Sequence, residues 1–221
     1  MNDKAVIFDL DGTLLNTLND LMDATNYTLN ELHYPIRTID EIRRFVGNGV
    51  GKLMERSLPD GIQNSHYEEA MVIFRQYYNV HCEDKTSIYN GVPELLRQLK
   101  IDGYKLAVVS NKPDRAVKRL CGKFFGDSIQ EAVGEKQGIR RKPAKDMVEN
   151  ALSELGCRKE NAIYVGDSDV DIQTAANSGL KCISVTWGFR DLAFLKEHGA
   201  TIIADTPHQV YQAVMKEIAV V

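Results

Sequence analysis

Short apolar runs alternate with helical patterns through the second half of this chain, and this alternation most constrains its fold. Three of the runs are KLAVVS at Lys105–Ser110, NAIYVGD at Asn161–Asp167 and KCISVTW at Lys181–Trp187. Runs that are apolar almost throughout are typical of strands covered on both faces, as in parallel sheets. Strands and helices that alternate along the chain predict an α/β fold with a doubly wound, Rossmann-like parallel sheet.

Further segments extend this pattern to both ends of the chain. KAVIFD at Lys4–Asp9 is predicted to be the first strand, and ATIIAD at Ala200–Asp205 a strand at the periphery of the sheet. Helical spacing of apolar residues predicts helices at Pro93–Lys100, Asp114–Phe124, Lys145–Leu155, Asp169–Asn177 and His208–Ile218. Residues 1–16 and 88–221 are therefore predicted to form an α/β core domain.

Residues 17–87 break the alternation. Apolar side chains such as Leu18, Leu21 and Leu29 recur there at helical spacing, between polar breaks at HYPIRT and LPDGIQNS. This pattern predicts a small helical domain inserted after the first strand. Its position, directly after a turn rich in carboxylates, favours a cap that closes over a site. Helices packed permanently against the sheet are the alternative.

Bulk composition argues against several classes of partner. The net charge is −4, which gives no electrostatic basis for binding nucleic acid or an anionic membrane. No apolar run approaches the ~18 residues of a membrane helix, and the start of the sequence shows no signal-peptide pattern. The four cysteines are widely spaced, which favours free thiols over disulfides or a zinc site. We expect a cytoplasmic protein, either a monomer or a weak homodimer.

Polar residues follow the ends of the predicted strands. Asp9–Thr13 follow the first strand. Ser110–Lys112 follow the apolar residues of KLAVVS, and Gly166–Asp171 follow NAIYV. Lys142 lies in Arg140–Pro143, just before a predicted helix. Ligands bind at the carboxyl ends of the strands in open parallel sheets, so we expect these residues to lie close together.

Asp9 and Asp11 have the spacing and chemistry needed for phosphoryl transfer. Two residues apart in an extended chain, they point to the same side. A carboxylate is ionised at neutral pH and can attack phosphorus without a base, while its neighbour handles the leaving group's proton. An ordinary Asp-Gly turn after a strand is the alternative for this pair alone.

Clustered carboxylates repel one another unless a cation is present. Asp9, Asp11 and Asp167 offer hard oxygen ligands, which suit Mg²⁺. Asp171 shares a helical face with Asp167, so we predict that it supports the residues that bind the metal and does not bind the metal directly. We predict the same role for Ser168.

Three further residues offer groups that bind anions. Ser110 and Asn111 supply short hydrogen-bond donors, and Lys142 supplies a point charge for a phosphoryl oxygen. The alternatives are a helix cap for the Ser-Asn pair and a solvated surface position for the lysine.

The motifs occur in an order that resembles the haloacid dehalogenase superfamily: Asp9-x-Asp11-Gly12-Thr13, Ser110-Asn111, Lys142-Pro143 and Gly166-Asp167-x3-Asp171. This resemblance covers essentially the whole chain. GDSDVDIQTAANSGL and SVTWGF resemble the phosphatases of that superfamily. The helical insertion, with FVGNGVGKLMERSL at Phe45–Leu58, resembles phosphoglycolate phosphatases and their close relatives.

The resemblance implies specific roles. Asp9 would be the nucleophile that forms an aspartyl-phosphate, and Asp11 the general acid and then the general base. Mg²⁺ would be held by the Asp9 carboxylate, the Asp11 backbone carbonyl and Asp167. Lys142 would be catalytic, and the implied substrate contacts in the core are Leu10, Thr13, Ser110, Asn111 and Lys142.

In the insertion, Arg44 and Asn48 are the preferred candidates for substrate contact. Asn48 lies in Gly47-Asn48-Gly49, a sequence equally typical of a structural turn. Charged side chains on amphipathic helices usually face solvent, which is the alternative for Arg44.

The sequence therefore predicts a Mg²⁺-dependent phosphatase for a small phosphorylated metabolite, with 2-phosphoglycolate the favoured substrate. A pyrophosphatase, a sugar-phosphate phosphatase and a phosphomutase would use the same Asp9 and differ in the cap. A non-catalytic binding module is a different class, and it would be expected to have lost Asp9, Asp11 or Asp167.

Overall fold

The computed structural model describes residues 3–218. The chain divides into two compact units: one comprises the chain up to Leu15 and from Ile88 onward, and the other is Asn16–Ser87. The terminal residues 1–2 and 219–221 of the predicted core lie outside the described residues.

The elements follow one another along the chain as follows: β1 Ala5–Phe8, β2 Leu15–Asn16, α1 Leu18–Glu31, α2 Ile39–Phe45, α3 Val50–Ser57, α4 Tyr67–His81, β3 Ser87–Ile88, α5 Val92–Ile101, β4 Lys105–Pro113, α6 Asp114–Phe125, β5 Glu131–Glu135, α7 Asp146–Leu155, β6 Ala162–Gly166, α8 Asp169–Ser178, β7 Lys181–Val185, α9 Leu192–Glu197, β8 Ile202–Ala204 and α10 Pro207–Glu217.

Six parallel strands form the sheet of the first unit, in the order β5-β4-β1-β6-β7-β8. Strand β1 lies at the centre, where Ala5 pairs with Lys105 on one side and with Ala162 on the other. The doubly wound parallel sheet predicted from the sequence is therefore confirmed. Strands β2 and β3 pair separately and contain the boundary between the two units.

Both faces of the sheet are covered by helices, which explains why the strands are apolar at nearly every position. Val6 and Phe8 of β1 point to one face and pack with buried residues of α5, α6 and α10. Ala5 and Ile7 point to the other face and pack with α7 and α8. Successive side chains alternate between the two faces, so one short strand contributes to both cores.

Strand β5 and helix α9 of the first unit were not predicted from the sequence. Strand β5 has the sequence EAVGE, whose charged ends conceal its short apolar centre, and it lies at the edge of the sheet. Helix α9 is only six residues long, and it begins after Asp191, whose side chain accepts a hydrogen bond from the Phe194 N–H. Elements this short give little periodicity to recognise.

The second unit is helical, as the apolar spacing indicated. Helices α1 and α4 bury residues such as Leu21, Leu29 and Phe74. Asp20 is buried at the start of α1, where its carboxylate accepts hydrogen bonds from the backbone N–H groups of Lys85 and Thr86. These hydrogen bonds join Lys85 and Thr86, where the chain leaves the second unit, to α1, the first helix of that unit. The role of this unit as a cap stays a prediction.

Within the part of the chain that the structure describes, no helix combines the length and the apolar character needed to cross a membrane.

Candidate active site

Polar side chains meet at the carboxyl edge of the central strands. Asp9 follows β1, Ser110 lies late in β4, and Asp167 follows β6. Because β4 and β6 flank β1 in the sheet, the ends of these three strands are neighbours. Parallel strands direct their carboxyl ends to a common edge, so the topology assembles residues that are distant in sequence.

Asp9 is a buried carboxylate with one oxygen engaged. Its Oδ1 lies 2.7 Å from the ammonium of Lys142. Among residues 3–218 the structure shows no hydrogen-bond donor on the other oxygen, Oδ2. Burial raises the pKa of Asp9; the Lys142 charge opposes this shift, and the carboxylate of Asp171 adds to it.

Lys142 is buried among three oxygen partners. Its Nζ lies 2.7 Å from Asp9 Oδ1, 2.8 Å from Asp171 Oδ1 and 3.0 Å from the hydroxyl of Tyr164. These contacts account for the three hydrogen atoms of a lysine ammonium. Burial disfavours the charged form, but the carboxylates of Asp171 and Asp9 outweigh it and raise the pKa of Lys142. The lysine therefore stays charged as the counter-ion of Asp9.

Asn111 fixes the backbone that holds this lysine. Its side-chain Nδ2 donates to the carbonyl of Lys142 at 2.9 Å, and its Oδ1 accepts from the Lys142 N–H at 2.8 Å. Asn111 is itself buried at the end of β4. The paired hydrogen bonds join two segments 31 residues apart, so the strand sets the position of the lysine.

Asp171 supports the site from the first turn of α8. Its Oδ2 accepts hydrogen bonds from the N–H and Oγ of Ser168 and from the N–H of Asp167. Its Oδ1 accepts from Lys142 and from the hydroxyl of Tyr164, 3.1 Å away. With both oxygens engaged by protein donors, Asp171 is placed to orient its neighbours.

Asp167 is fully buried in a carboxylate cluster. Its Oδ2 accepts from the Phe189 N–H at 2.7 Å, and its Oδ1 lies 3.4 Å from the hydroxyl of Thr13. Burial, reinforced by the charge of Asp171, raises the pKa of Asp167 to about 7. An unpaired buried carboxylate favours its protonated form, and a nearby cation would reverse that preference.

The carboxylates of Asp9, Asp167 and Asp171 converge, and Asp9 and Asp167 are the two that could hold a cation, because both Asp171 oxygens accept hydrogen bonds from protein donors. One oxygen from each lies within 4.8 Å of the others. Hard carboxylate oxygens are the ligands that Mg²⁺ prefers, and a bound cation would offset the burial that raises the pKa values of Asp9 and Asp167. The residues present therefore fit a divalent metal ion.

Asp11 lies beside this cluster and has different partners. Its Oδ1 is 2.9 Å from the ammonium of Lys112, and its Oδ2 is 3.5 Å from the hydroxyl of Ser110. Asp11 is more exposed than Asp9, with 18% of its side-chain surface accessible against 11%. The two carboxylates therefore occupy distinct environments, which suits two different roles.

The remaining predicted residues divide between the two units. Leu10 is buried, and its side chain packs in the hydrophobic core, so only its backbone is available to a substrate. Thr13 is buried against Asp167. Arg44 is exposed on α2, and Asn48 lies in the turn before α3 with a φ of 64°. Both belong to the second unit, and their contact with substrate stays a prediction.

Two contributors were not recognised from the sequence, and a third, Lys112, was expected at this edge without its partner. Tyr164 lies inside β6. A buried hydroxyl needs a polar partner, and this was the only feature of the sequence that could have indicated a role for Tyr164. The Phe189 N–H donor lies in the loop after β7, within the SVTWGF segment. Lys112 follows the Ser-Asn pair directly, but nothing in the sequence shows that it meets Asp11.

The fold and this cluster together define a site of buried carboxylates and lysines at the carboxyl edge of a parallel α/β sheet, which is suited to binding a metal ion and an anionic group. A family model of haloacid dehalogenase-like hydrolases matches residues 6–185. The phosphoglycolate phosphatase of Pseudomonas putida is 31% identical over 213 residues, covering 94% of this chain and 75% of that protein. The phosphoglycolate phosphatase of Aquifex aeolicus is 35% identical over 191 residues, covering 84% and 86% respectively.

A solved structure shows the same fold. A protein from Lactobacillus delbrueckii subsp. bulgaricus, provisionally named a phosphoglycolate phosphatase, superposes with a TM-score of 0.92 at 38% identity, covering 97% of this chain and 99% of that one. The chain belongs to the haloacid dehalogenase-like hydrolases. It is an enzyme of the phosphatase class, a phosphoric monoester hydrolase.

Proposed function

We propose that this chain is a Mg²⁺-dependent phosphatase that hydrolyses a small phosphorylated metabolite through an aspartyl-phosphate on Asp9. The main support for this proposal is the environment of Asp9. Lys142 engages one oxygen at 2.7 Å, and no described residue donates a hydrogen bond to the other. A carboxylate anchored at one oxygen and open at the other is prepared for nucleophilic attack.

The reaction would proceed in two phosphoryl transfers. Asp9 Oδ2 attacks phosphorus, the bond to the leaving oxygen breaks, and Asp11 gives that oxygen a proton. Asp11 then takes a proton from water, which attacks the phosphorus of the aspartyl-phosphate and releases inorganic phosphate. The separate environments of Asp9 and Asp11 support this division of roles.

The site must also compensate the negative charges of its carboxylates and of the phosphoryl group. Lys142 neutralises Asp9 in the free enzyme and would contact a phosphoryl oxygen once Asp9 is phosphorylated, with Asp171 and Tyr164 holding its ammonium in place. Asp9, Asp167 and the backbone carbonyl of Asp11 would hold Mg²⁺. When bound, Mg²⁺ supplies positive charge that offsets the carboxylates and the phosphoryl oxygens.

Among small phosphorylated metabolites, 2-phosphoglycolate is the favoured substrate. The support is the similarity to the phosphoglycolate phosphatases of Pseudomonas putida and Aquifex aeolicus over most of their length. The unit Asn16–Ser87 would serve as a cap, with Arg44 and Asn48 as substrate contacts.

Phosphate release across a substrate panel, with Mg²⁺ and with excess EDTA, tests this function. The panel contains 2-phosphoglycolate, pyrophosphate, hexose phosphates and nucleoside monophosphates. We expect Mg²⁺-dependent release that is most efficient with 2-phosphoglycolate. Preference for another member would replace the named substrate, and unchanged turnover in EDTA would contradict the metal requirement.

A further inference from the structure

A second buried lysine lies close to the active site. The Lys112 side chain, at the end of β4, is only 4% exposed, and its Nζ lies 2.9 Å from Asp11 Oδ1. Lysines are rarely buried unless they are paired. Lys112 is distinct from Lys142, which contacts Asp9 and Asp171. Each of the two aspartates after β1 thus has its own lysine.

Ser110 lies beside the other oxygen of the Asp11 carboxyl group. Its Oγ accepts a hydrogen bond from the backbone N–H of Lys112 at 3.2 Å, and it lies 3.5 Å from Asp11 Oδ2. The two Asp11 oxygens therefore face different groups of the same strand: Lys112 at Oδ1 and Ser110 at Oδ2. An aspartate has few rotatable bonds, so two contacts on opposite oxygens define the orientation of its carboxyl plane.

We propose that Lys112 is a positioning residue that orients the Asp11 carboxyl group for proton transfer at the leaving oxygen. This inference rests on the proposed function and deepens it. Lys112 acts through Asp11 and leaves the pairing of Asp9 with Lys142 intact. Its loss therefore impairs proton delivery selectively, and leaves attack by Asp9 as it was.

The leaving group distinguishes proton delivery from general damage. An alkyl phosphate releases an alkoxide, which needs a proton as the bond to phosphorus breaks. Acetyl phosphate releases acetate, which is stable without one. The ratio kcat/KM reports only the steps up to transfer of the phosphoryl group to Asp9, so the later role of Asp11 as base does not enter.

The experiment compares Lys112→Met with the parent enzyme on acetyl phosphate and on the alkyl phosphate that the parent hydrolyses best. We expect kcat/KM to fall about 10- to 100-fold for the alkyl phosphate, because general acids contribute about 10²- to 10⁴-fold. For acetyl phosphate we expect a loss of less than about threefold. Asp11→Asn should show the same selectivity, and adding Lys112→Met to it should not increase the selectivity further.

Lys105→Met is the matched control. Lys105 begins the same strand, and its ammonium donates to the carbonyl of Leu155, away from the carboxyl edge. This variant should lose no selectivity between the two substrates. Lys112→Gln, whose side chain is one atom shorter and uncharged but still polar, repeats the comparison if Lys112→Met does not fold, as judged by its melting temperature.

If Lys112→Met loses kcat/KM equally on both substrates, or on neither, the positioning role of Lys112 is overturned. A parent enzyme that releases no phosphate from any alkyl phosphate with Mg²⁺ would instead contradict the proposed function. The two failures are therefore distinguishable.

Discussion

Gly188 lies directly against the carboxylate of Asp167. An ideal Cβ built on Gly188 would overlap both Cβ and Oδ2 of Asp167. The φ of Gly188 lies outside the left-handed region, so glycine is required here for space and not for backbone freedom. The loop after β7 therefore closes one side of the carboxylate cluster, and the next residue, Phe189, donates its N–H to Asp167.

Gly188→Ala should therefore displace Asp167 and weaken the metal site. Overpacking of this kind costs about 1–3 kcal/mol of stability, and we expect the Mg²⁺ concentration for half-maximal activity to rise several-fold. Thermal unfolding and a Mg²⁺ titration of activity measure the two effects. Gly122→Ala is the control, because a Cβ on this residue of α6 meets nothing within 4 Å. That variant should keep its Mg²⁺ dependence and gain slight stability.

Asn111→Ala should release the segment that contains Lys142. The buried N–H and carbonyl of Lys142 would both lose their partners, and each such loss costs about 1–3 kcal/mol. We expect kcat to fall at least about tenfold, since the ammonium would no longer be fixed at Asp9.

Asn177→Ala is the comparison for that variant. The exposed Asn177 donates to the carbonyl of Pro143, the residue that follows Lys142. Its loss should cost less than about 1 kcal/mol and leave kcat near the parent value. Similar kcat losses in the two variants would show that the paired hydrogen bonds of Asn111 have no special part in catalysis.

Tyr164→Phe should weaken the support of Lys142 without creating a cavity. The change removes a hydroxyl that contacts the ammonium and Asp171 Oδ1. Hydrogen bonds to charged groups contribute about 1.5–3 kcal/mol, so we expect a comparable loss of unfolding free energy and a fall in kcat. Tyr104→Phe is the control, because Tyr104 is also a buried residue but its hydroxyl contacts the sulfur of Met215. Equal kcat values for the two variants would refute the role of Tyr164.

The effect of Mg²⁺ on stability should depend on pH. The pKa values of Asp9 and Asp167 are raised in the metal-free fold, that of Asp167 to about 7. Asp167 in the folded state thus keeps a proton that the unfolded chain loses above about pH 4, whereas Asp9 is paired with the charged Lys142. The stability that the proton on Asp167 provides is complete below that pH and is lost as the pH rises through about 7.

Magnesium ions and protons compete for the same oxygens, so Mg²⁺ should stabilise the protein more at higher pH. We expect the Mg²⁺-induced rise in Tm to be several degrees larger at about pH 8 than at about pH 5.5. Asp167→Asn should lose most of this difference. A rise of the same size at both pH values in the parent enzyme would argue against a metal at these carboxylates.

The sequence predicted the sheet and the groups at its edge because both depend on local patterns. Apolar runs locate β1, β4 and β6, and the topology then brings the residues that follow them together. The contacts of Tyr164 and Lys112 could not be predicted, because they depend on which way side chains point across the sheet. Strand β5 was missed because its apolar centre is too short to be recognised.

Phosphate release by Asp9→Asn decides whether Asp9 is the nucleophile. The variant is compared with the parent and with Asp169→Asn, a carboxylate in the first turn of α8 that is outside the Asp9 cluster. We predict that Asp9→Asn loses at least about 10³-fold in kcat while keeping a folded melting transition, because an amide cannot form the acyl phosphate. Asp169→Asn should remain close to the parent. Turnover by Asp9→Asn within about tenfold of the parent would contradict the assignment of Asp9 as the nucleophile.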